Sequence, residues 1–362
     1  ATESLVVDWE QNGRSGPSPA IAATEAVSAA KALLLDPAHH SWVRRHWGPN
    51  YLHEQNVFFR SLLIGGLSSY EHITRDGTAL PMLRDQVETL SVALDASPLG
   101  VLEDYPHETY PIDVLAAIGF IERADRVLGT DHSAFIARSR RAFTGAMADE
   151  LALVPFRMDL PSGAQVQPAR GIGTSWILLF VPDLYGLDTA RDWYGRYARS
   201  FYQQRGWAEG FREYPRGSAE PEFTFEIDAG PVIDGFGTAA SAFGIAAARR
   251  NGRFDHAYAL SAQLAAAGWT LPGGTLLFPR LASHATDAPY LGEAAILCFL
   301  TVQPAPNATL VREGAIPGLA RIGLVVFFGV PGVSWGVWLV ALRAALRRRA
   351  RSRCDAAGTS PR

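Results

Sequence analysis

The stretch Asn56–Thr74, NVFFRSLLIGGLSSYEHIT, decides how this sequence is expected to fold. Apolar residues recur along it at helical spacing and occupy most of its faces, which is typical of a helix buried inside a protein. After the turn RDG, the stretch Leu80–Leu94 keeps the helical spacing but carries charged residues on one side. Together the two stretches predict a hairpin that pairs a buried helix with an amphipathic one.

The same pairing recurs along the chain. Apolar helices are predicted to start at spacings of 55, 63, 57 and 58 residues, near Asn56, Pro111, Thr174, Pro231 and Pro289. A repeat of this kind is typical of stacked helical hairpins. The sequence therefore predicts an all-α protein, an (α/α)6-type toroid whose inner ring is formed by the apolar helices. An irregular helical domain with coincidental spacing is the alternative.

This repeat sets the predicted helices and domains. The helices of the body are expected at Ala20–Leu35, Gln55–Thr74, Leu80–Leu94, Pro111–Leu128, His132–Glu150, Thr174–Tyr185, Thr189–Gln204, Pro231–Arg249, Phe254–Gly268 and Pro289–Val302. An N-terminal segment covers residues 1–48 and the toroid covers residues 49–304. A linker (305–321), a membrane helix (322–342) and a basic tail (343–362) follow.

The membrane helix is predicted from Ile322–Leu342, IGLVVFFGVPGVSWGVWLVAL, which contains no charged residue. At about 1.5 Å per residue this stretch reaches roughly 30 Å, the thickness of the bilayer core. Trp335 and Trp338 lie towards one end, where an aromatic belt is expected. We therefore expect a single membrane span, with a buried core helix as the alternative.

Charge is distributed unevenly over the 362 residues, whose net charge is −3. The tail Arg343–Arg362 contains seven arginines and one acid and carries +6, which leaves −9 on the rest. Arginine-rich flanks of membrane helices stay in the cytoplasm. The tail is therefore predicted to be cytoplasmic and the acidic body to lie outside the cytoplasm, at the cell membrane. An acidic body argues against nucleic-acid binding.

Cysteine and histidine usage indicates neither a disulfide nor a metal site. Cys298 lies in the body and Cys354 lies beyond the membrane segment, so the two are not expected to pair. The nine histidines show no zinc-type spacing, and neither a metal nor another cofactor is expected. The sequence begins at Ala1 rather than Met, which fits either removal of an upstream signal or membrane segment or a cloned fragment. Self-association stays open.

The first candidate site is the loop from Asp104 to Asp113, DYPHETYPID, at the start of a predicted inner helix. Tyr110 and Asp113 are three residues apart and share a helix face, so a carboxyl and a phenol can act together as acid and base. His107 in the same loop is a candidate ligand of the substrate. The alternative is ordinary helix-start chemistry, in which proline and an acidic residue begin a helix.

Further candidates lie in the loops before the other apolar helices. Asp228 and Glu293 are candidate acid/base partners of Asp113, because each precedes or begins an apolar helix where capping alone does not explain the carboxylates. Four other polar residues near the predicted rim are expected to orient a hydroxylated small-molecule substrate: Asn56, Arg170, Tyr214 and Asp234.

Several of these motifs resemble the linalool dehydratase/isomerase family, and the chain looks most like the bacterial membrane-anchored members of that family. The resemblance covers roughly Pro49–Val302 and is carried by NVFFRSLLIGGLSSYEHIT, QPARGIGTSWILLFV, EIDAGPVIDGFGTAASAFGIAAARRNG and PYLGEAAILCFLTV. It implies an (α/α)6 barrel that adds and removes water at an allylic terpene alcohol by acid/base catalysis without a cofactor. Leu62 stands where the family has its catalytic histidine, and the family's active-site cysteines have no equivalent. The resemblance therefore implies where the site of this chain lies, but it does not supply the family's catalytic residues.

The function expected from these observations is a membrane-anchored, extracytoplasmic acid/base lyase or isomerase of the hydro-lyase type. Two alternatives remain open. One is a carbohydrate-active toroid enzyme similar to glycoside hydrolases, in which two carboxylates act across the pocket and aromatic side chains stack on sugars. The other is a non-catalytic scaffold in the cell envelope, whose pocket would be filled by its own side chains.

Overall fold

A computed structural model of the chain describes residues 1–14, 16–144, 149–270, 276–277 and 291–357, and the described residues are mostly helical. The helices are α1 (Thr2–Gln11), α2 (Ala20–Leu35), α3 (Ser41–Trp47), α4 (Val57–Thr74), α5 (Leu80–Ala96), α6 (Pro111–Leu128), α7 (Ser133–Phe143), α8 (Gly171–Ile177), α9 (Val181–Tyr185), α10 (Leu187–Phe201), α11 (Thr238–Arg250), α12 (Phe254–Ala267), α13 (Leu291–Thr301) and α14 (Gly318–Ala357). A 3-10 turn at Pro37–His40 precedes α3.

Short antiparallel strands lie in the loops between these helices. The hairpins are β1 (Arg157–Met158) with β2 (Gln165–Gln167), β3 (Tyr202–Gln204) with β4 (Glu209–Phe211), and β8 (Trp269–Thr270) with β9 (Leu276–Leu277). A three-stranded sheet joins β5 (Thr224–Glu226), β6 (Gly230–Ile233) and β7 (Phe236–Gly237) in that order. The predicted predominance of helices is thus confirmed, and the short strands are an addition that the sequence analysis did not predict.

The long apolar helices pack against one another in chain order. α4 contacts α6, α6 contacts α8, α8 contacts α11 and α11 contacts α13, while α5 and α12 pack as the hairpin partners of α4 and α11. The amide of Val57 at the start of α4 donates to the carbonyl of Glu103, just before the loop that leads into α6. α4 and α6 therefore begin at the same end of the body.

Two helices have the bounds that the sequence predicted, Ala20–Leu35 and Pro111–Leu128. Proline at the first turn of α6 supplies a φ angle suited to a helix start and has no amide hydrogen to leave unpaired. Gly129, with φ of 65°, ends the helix in the left-handed conformation. The residues at its two ends therefore determine where this helix begins and where it ends.

The predicted helix Pro231–Arg249 is wrong in its first two turns, where the chain instead forms β6, a turn and β7. The turn consists of Asp234 and Gly235, both with positive φ, which is the preferred sequence of a tight two-residue hairpin. The helix then begins at Thr238. The turn preference of Asp-Gly overrides the helix-start preference of Pro231.

Other predicted bounds also need correction. The helix expected at Thr174–Tyr185 begins earlier and is divided into α8 and α9, because Pro182 in the first turn of α9 has no amide hydrogen for a continuous helix. The helix expected at Thr189–Gln204 ends at Phe201, where β3 starts. The helix expected at His132–Glu150 is Ser133–Phe143 among the described residues, and residues 145–148 are outside them.

Gly235→Ala should destabilise the protein. Its φ of 76° costs an alanine about 1–2 kcal/mol, and a Cβ atom here would overlap Nη1 of Arg212. Gly129→Ala is a matched control, because Gly129 has φ of 65° with no atom within 4 Å of the added Cβ. We expect the larger loss of unfolding free energy at Gly235, measured by urea titration in detergent micelles. Equal losses in the two variants would show that the overlap with Arg212 adds nothing to the loss of unfolding free energy.

The carboxyl-terminal helix α14 is long and apolar enough to cross a membrane. Its segment Gly318–Arg347 has 30 residues, and the most apolar 18-residue window within it has a mean hydropathy of 1.9 and no buried residue. The predicted span Ile322–Leu342 lies entirely within it. Among the described residues, this is the one helix that meets both conditions of length and composition.

Candidate functional site

The loop before α6 is folded into a tight turn that holds two candidate residues. The amide of Asp104 donates to the carbonyl of Glu108 at 2.9 Å, and the amide of Glu108 donates to the carbonyl of Tyr105 at 2.8 Å. His107 lies exposed at the tip with φ of 69°. The Asp104 carboxylate accepts the amide hydrogen of Tyr110 at 2.9 Å, so the turn is fastened to the start of α6.

Asp104 and Asp113 place two carboxyl groups beneath this turn. Asp104 is fully buried at 1% exposure, and burial together with the charge of Asp113 raises its pKa well above the ordinary value. Burial and the charge of Asp228 raise the pKa of Asp113 to about 7. A carboxyl group that titrates near neutral pH can both donate and accept a proton under ordinary conditions.

Asp228, from the loop between β5 and β6, brings a third carboxylate to the start of α6. Burial raises its pKa, the charges of Glu108 and Glu226 raise it further, and the guanidinium of Arg170 opposes them. The structure thus brings Asp113 and Asp228, predicted as an acid/base pair, within electrostatic range of each other. The two groups have different surroundings, because Asp113 lies beside Trp176 whereas Asp228 lies near the charges of Arg170, Glu108 and Glu226.

Trp176 connects Asp113 to an aromatic cluster in the middle of the body. The indole group of Trp176 lies beside the Asp113 carboxylate and opposes part of the rise in its pKa. Its ring lies 5.1 Å from that of Phe180, 6.1 Å from that of Phe120 and 5.8 Å from that of Phe243. All four side chains keep partial exposure although they belong to helices whose other faces are packed. The carboxyl group of Asp113 therefore borders an apolar, aromatic surface.

Arg170 lies at the start of α8 in a buried network. Its Nε donates to Glu213 Oε1 at 2.8 Å, and its guanidinium lies 4.5 Å from the ring centre of Phe156 and 5.3 Å from that of Tyr214. A longer contact of 3.4 Å joins it to Glu226. Burial raises the pKa of Glu213 to about 7 despite this partner. Arg170 thus holds the loop after β4 against α8.

Two tyrosines predicted in the site lie at its edge. The hydroxyl group of Tyr110 donates to Glu108 Oε2 at 2.8 Å, and its ring packs against Phe156. Tyr214 forms a hydrogen bond with Glu226. Burial raises the pKa of both phenols above the ordinary value, so both stay protonated at neutral pH and can donate hydrogen bonds.

Asn56 and Asp234 form contacts elsewhere in the body, and Glu293 lies at the start of α13. Asn56 is buried, and its amide donates to the carbonyl of Tyr51, which ties down the loop before α4. Asp234 occupies the turn between β6 and β7 and pairs with Arg205 at 3.3 Å. Glu293 lies in the first turn of α13, as predicted, directly after the undescribed residues 278–290. Their roles in substrate binding or catalysis stay predictions.

Three buried polar atoms near the starts of α6 and α8 have no hydrogen-bond partner among the described residues. They are Asp104 Oδ1, Thr109 Oγ1 and Thr174 Oγ1. Buried polar atoms are almost always paired with protein or water, so each of these three atoms needs a partner that the described residues do not supply. In the same described part of the chain, no group of three or more His, Cys, Asp or Glu side chains is arranged to hold a metal ion.

Sequence reasoning missed Asp104, Glu213 and Trp176 as members of the site. Asp104 and Glu213 stand within the two polar loops that the sequence singled out, but nothing local distinguishes a buried carboxylate from an exposed one. Trp176 lies one turn from Gly173 on an apolar helix and resembles any core tryptophan. Its role becomes apparent only from the Asp113 contact.

Asp228→Asn should lower the pKa of Asp113, because it removes the negative charge that opposes ionisation of that carboxyl group. Burial remains, so the value should stay above the ordinary aspartate range near 3.9. Infrared titration of the protonated carboxyl band reports this shift. Asp234→Asn, which removes a carboxylate paired with Arg205 on the same sheet, should leave the Asp113 titration unchanged. An unshifted midpoint in Asp228→Asn would argue against the coupling.

No model of a known protein family matches this chain, and no curated protein matches it.

Proposed function

We propose that this protein is a membrane-anchored, cofactor-independent acid/base enzyme of the linalool dehydratase/isomerase-like group. It acts as a lyase or isomerase of the hydro-lyase type on a hydroxylated small molecule. The observation that carries the proposal is Asp113, whose pKa is about 7 and whose carboxyl group contacts Trp176 at the border of an aromatic cluster. A proton donor beside an apolar surface suits the removal of water from a largely apolar alcohol.

The fold proposed for this enzyme is an α/α toroid with α4, α6, α8, α11 and α13 as inner helices. Each of these helices contacts the next one in chain order. Leu62, in the middle of α4, is 36% exposed although the neighbouring residues on both sides are buried or partly buried. An interior space bounded by the inner helices accounts for this exposure and for the partial exposure of the aromatic cluster.

In the proposed reaction, Asp113 and Asp228 exchange roles with the direction of the reaction. For dehydration, protonated Asp113 donates its proton to the substrate hydroxyl, the C–O bond breaks and water leaves. The Asp228 carboxylate accepts a proton from the adjacent carbon, and the C–H electron pair forms the new double bond. Hydration is the reverse. The hydroxyl group of Tyr110 donates its hydrogen to Glu108, so its oxygen can accept a hydrogen bond from the substrate hydroxyl group.

Oxygen exchange tests the proposal without knowledge of the natural substrate. The full chain in phosphatidylcholine vesicles is incubated in 18O-labelled water with a panel of unsaturated alcohols that includes a tertiary allylic alcohol. We expect 18O in the recovered alcohol and the corresponding diene in the vapour, both absent with heat-denatured protein. Absence of both signals from every alcohol in the panel would count against a dehydratase.

A glycoside hydrolase is the second candidate, because Asp113 and Asp228 form a carboxyl pair with different surroundings. Glycosidases use such a pair, with one protonated and one ionised member. Release of the aryl group from a set of aryl glycosides would identify this activity. Asp113→Asn and Asp228→Asn should then each abolish release, while the alcohols should show no 18O exchange.

The membrane topology proposed for this enzyme places the body outside the cytoplasm and the arginine-rich end of α14 inside. The support is the charge of the chain beyond Leu342, since arginine-rich flanks are retained in the cytoplasm. Labelling of bacterial spheroplasts with an impermeant maleimide tests it. A cysteine at exposed Ile21 (Ile21→Cys) should react from outside, while Cys354 should react only after lysis. Labelling of Cys354 in intact spheroplasts would reverse the topology.

A further inference from the structure

The contacts between α14 and α12 show at which end of the body α14 leaves the body. Gly314, just before α14, lies against the backbone of Asp255 at the start of α12. One turn after its start, Gly323 lies against Ala266 near the end of α12. The two helices therefore run in the same direction, and α14 continues past the carboxyl-terminal end of α12.

That end of the body is the one that carries the candidate site. α12 is the hairpin partner of α11 and follows it after the short connection 251–253, so the end of α12 lies beside the start of α11. The sheet β5–β7 and Asp228 immediately precede α11. The amide of Leu319 in α14 donates to the carbonyl of Trp207, whose ring lies 5.6 Å from that of Phe236 in β7.

Large apolar side chains are exposed on β5, on β6 and on the residues directly before and after β5. Phe223 is 70% exposed, Phe225 71%, Ile227 90% and Ile233 48%. A large contiguous apolar patch on a protein surface typically marks a site that binds a membrane, another protein or a ligand. An apolar groove of about 490 Å³ lies between α12 and α14 and is lined by residues such as Ala266, Ile322 and Val326.

We propose that this end of the body rests on the bilayer, with the apolar side chains of the β5–β6 hairpin inserted into the adjacent leaflet. The occupant of the face is the membrane, because α14 leaves the body beside these side chains and its apolar length then continues into the lipid. The inference rests on α14 crossing the bilayer and is independent of the activity of the site. In this placement, the candidate site with Asp113 and Asp228 faces the adjacent leaflet.

Apolar insertion, rather than attraction to anionic lipid, drives this contact. The hairpin and its flanks carry the carboxylates Glu220, Glu222, Glu226 and Asp228. Two nearby arginines are engaged within the protein: Arg205 pairs with Asp234, and Arg216 donates to the carbonyl of Tyr202. Zwitterionic phosphatidylcholine is therefore a sufficient partner, and binding should change little with salt concentration.

Photolabelling of the unmodified full chain tests this placement. The protein is reconstituted in vesicles of phosphatidylcholine that carry a photoactivatable group in the acyl chain, and adducts are mapped by peptide mass spectrometry. We expect adducts both in 318–347 and in 222–234. Adducts in 318–347 alone would overturn the proposal, and absence of adducts from 318–347 would overturn it by removing its premise.

A matched pair of cysteine variants gives a second, independent reading. In a Cys298→Ser, Cys354→Ser background, Ile227→Cys and Ile21→Cys place the same fluorophore at two exposed isoleucine positions, which are 90% and 75% exposed. Ile21 lies at the opposite end of the body. Lys31, which is further along the same helix α2, donates a hydrogen bond to Thr78, and Thr78 follows the carboxyl-terminal end of α4. Lipids with an acyl-chain quencher should quench the label at 227 several-fold more than at 21. Equal quenching, or protection at 227 that depends on protein concentration and so indicates a second copy, would contradict the proposal.

Discussion

Asp113→Asn is expected to lower the rate of 18O exchange by about 10²–10⁴-fold, the usual contribution of a positioned general acid or base. Asparagine keeps the size of the side chain and its contact with Trp176 but has no proton that it can donate and recover. Because the loss is in the chemical step, kcat should fall while KM changes little.

The same variant should be at least as stable as the parent, which separates loss of chemistry from loss of folding. The pKa of Asp113 is raised in the folded protein to about 7, above the ordinary value of 3.8. The folded state therefore binds this proton more tightly than the unfolded state, and stability falls as pH rises from about 4 to 7. Asp113→Asn removes that loss, so its unfolding free energy at pH 8 should exceed that of the parent.

Asp131→Asn serves as the activity control, because Asp131 lies just before α7, at the opposite end of α6 from Asp113, and its side chain bonds only the start of α7. Its exchange rate should equal that of the parent. If Asp113→Asn retained the parental rate while folding normally, Asp113 would have no part in the chemistry and the proposed function would fail.

Arg170→Met should destabilise the protein by about 3–5 kcal/mol, the cost of breaking a buried ion pair by removal of one partner. The side chains of Arg170 and Glu213 are 6% and 0% exposed, so the remaining carboxylate has no access to water. Methionine fills a similar length between Phe156 and Tyr214 without the charge. Urea unfolding in detergent micelles, followed by tryptophan fluorescence, measures the change.

Two further variants identify the unpaired charge as the cause. Arg170→Met combined with Glu213→Gln should recover most of the loss, because no buried charge remains. Arg138→Met breaks the pair with Asp95, whose two members are 50% and 40% exposed, and should change stability little. A loss at Arg170 as small as that at Arg138, or no recovery in the double variant, would show that the buried pair is not what stabilises the loop after β4.

Helices with strong signals at both ends were predictable from the sequence, and those without were not. Pro111 and Gly129 delimit α6, and the predicted bounds are confirmed. α11 starts later than predicted, because Asp234 and Gly235 form a hairpin turn that competes with the helix-start signal of Pro231. α4, α6, α8 and α11 start 54, 60 and 67 residues apart instead of the predicted 55, 63 and 57, and their arrangement as a toroid stays a proposal.

The sequence predicted which carboxylates lie near the start of α6, whereas it did not predict their burial or their mutual electrostatic influence. Tyr110 and Asp113 share the start of α6 by sequence spacing alone, and Asp228 was identified as an unexplained carboxylate. Their pKa values depend on burial and on charges from loops more than 100 residues apart in sequence, which spacing does not report. Asp104 illustrates the limit, because only the folded chain shows that it is buried with one oxygen unpaired.

The titration of Asp113 tests the central claim most directly. Infrared spectra of the parent and of Asp113→Asn are recorded in phosphatidylcholine vesicles across pH 3 to 9, and their difference isolates the carboxyl band of this residue. We predict that the band disappears with a midpoint near pH 7, the value that burial and Asp228 impose. A midpoint near the ordinary aspartate value of about 3.9 would contradict the proposal that Asp113 is the proton donor of the site.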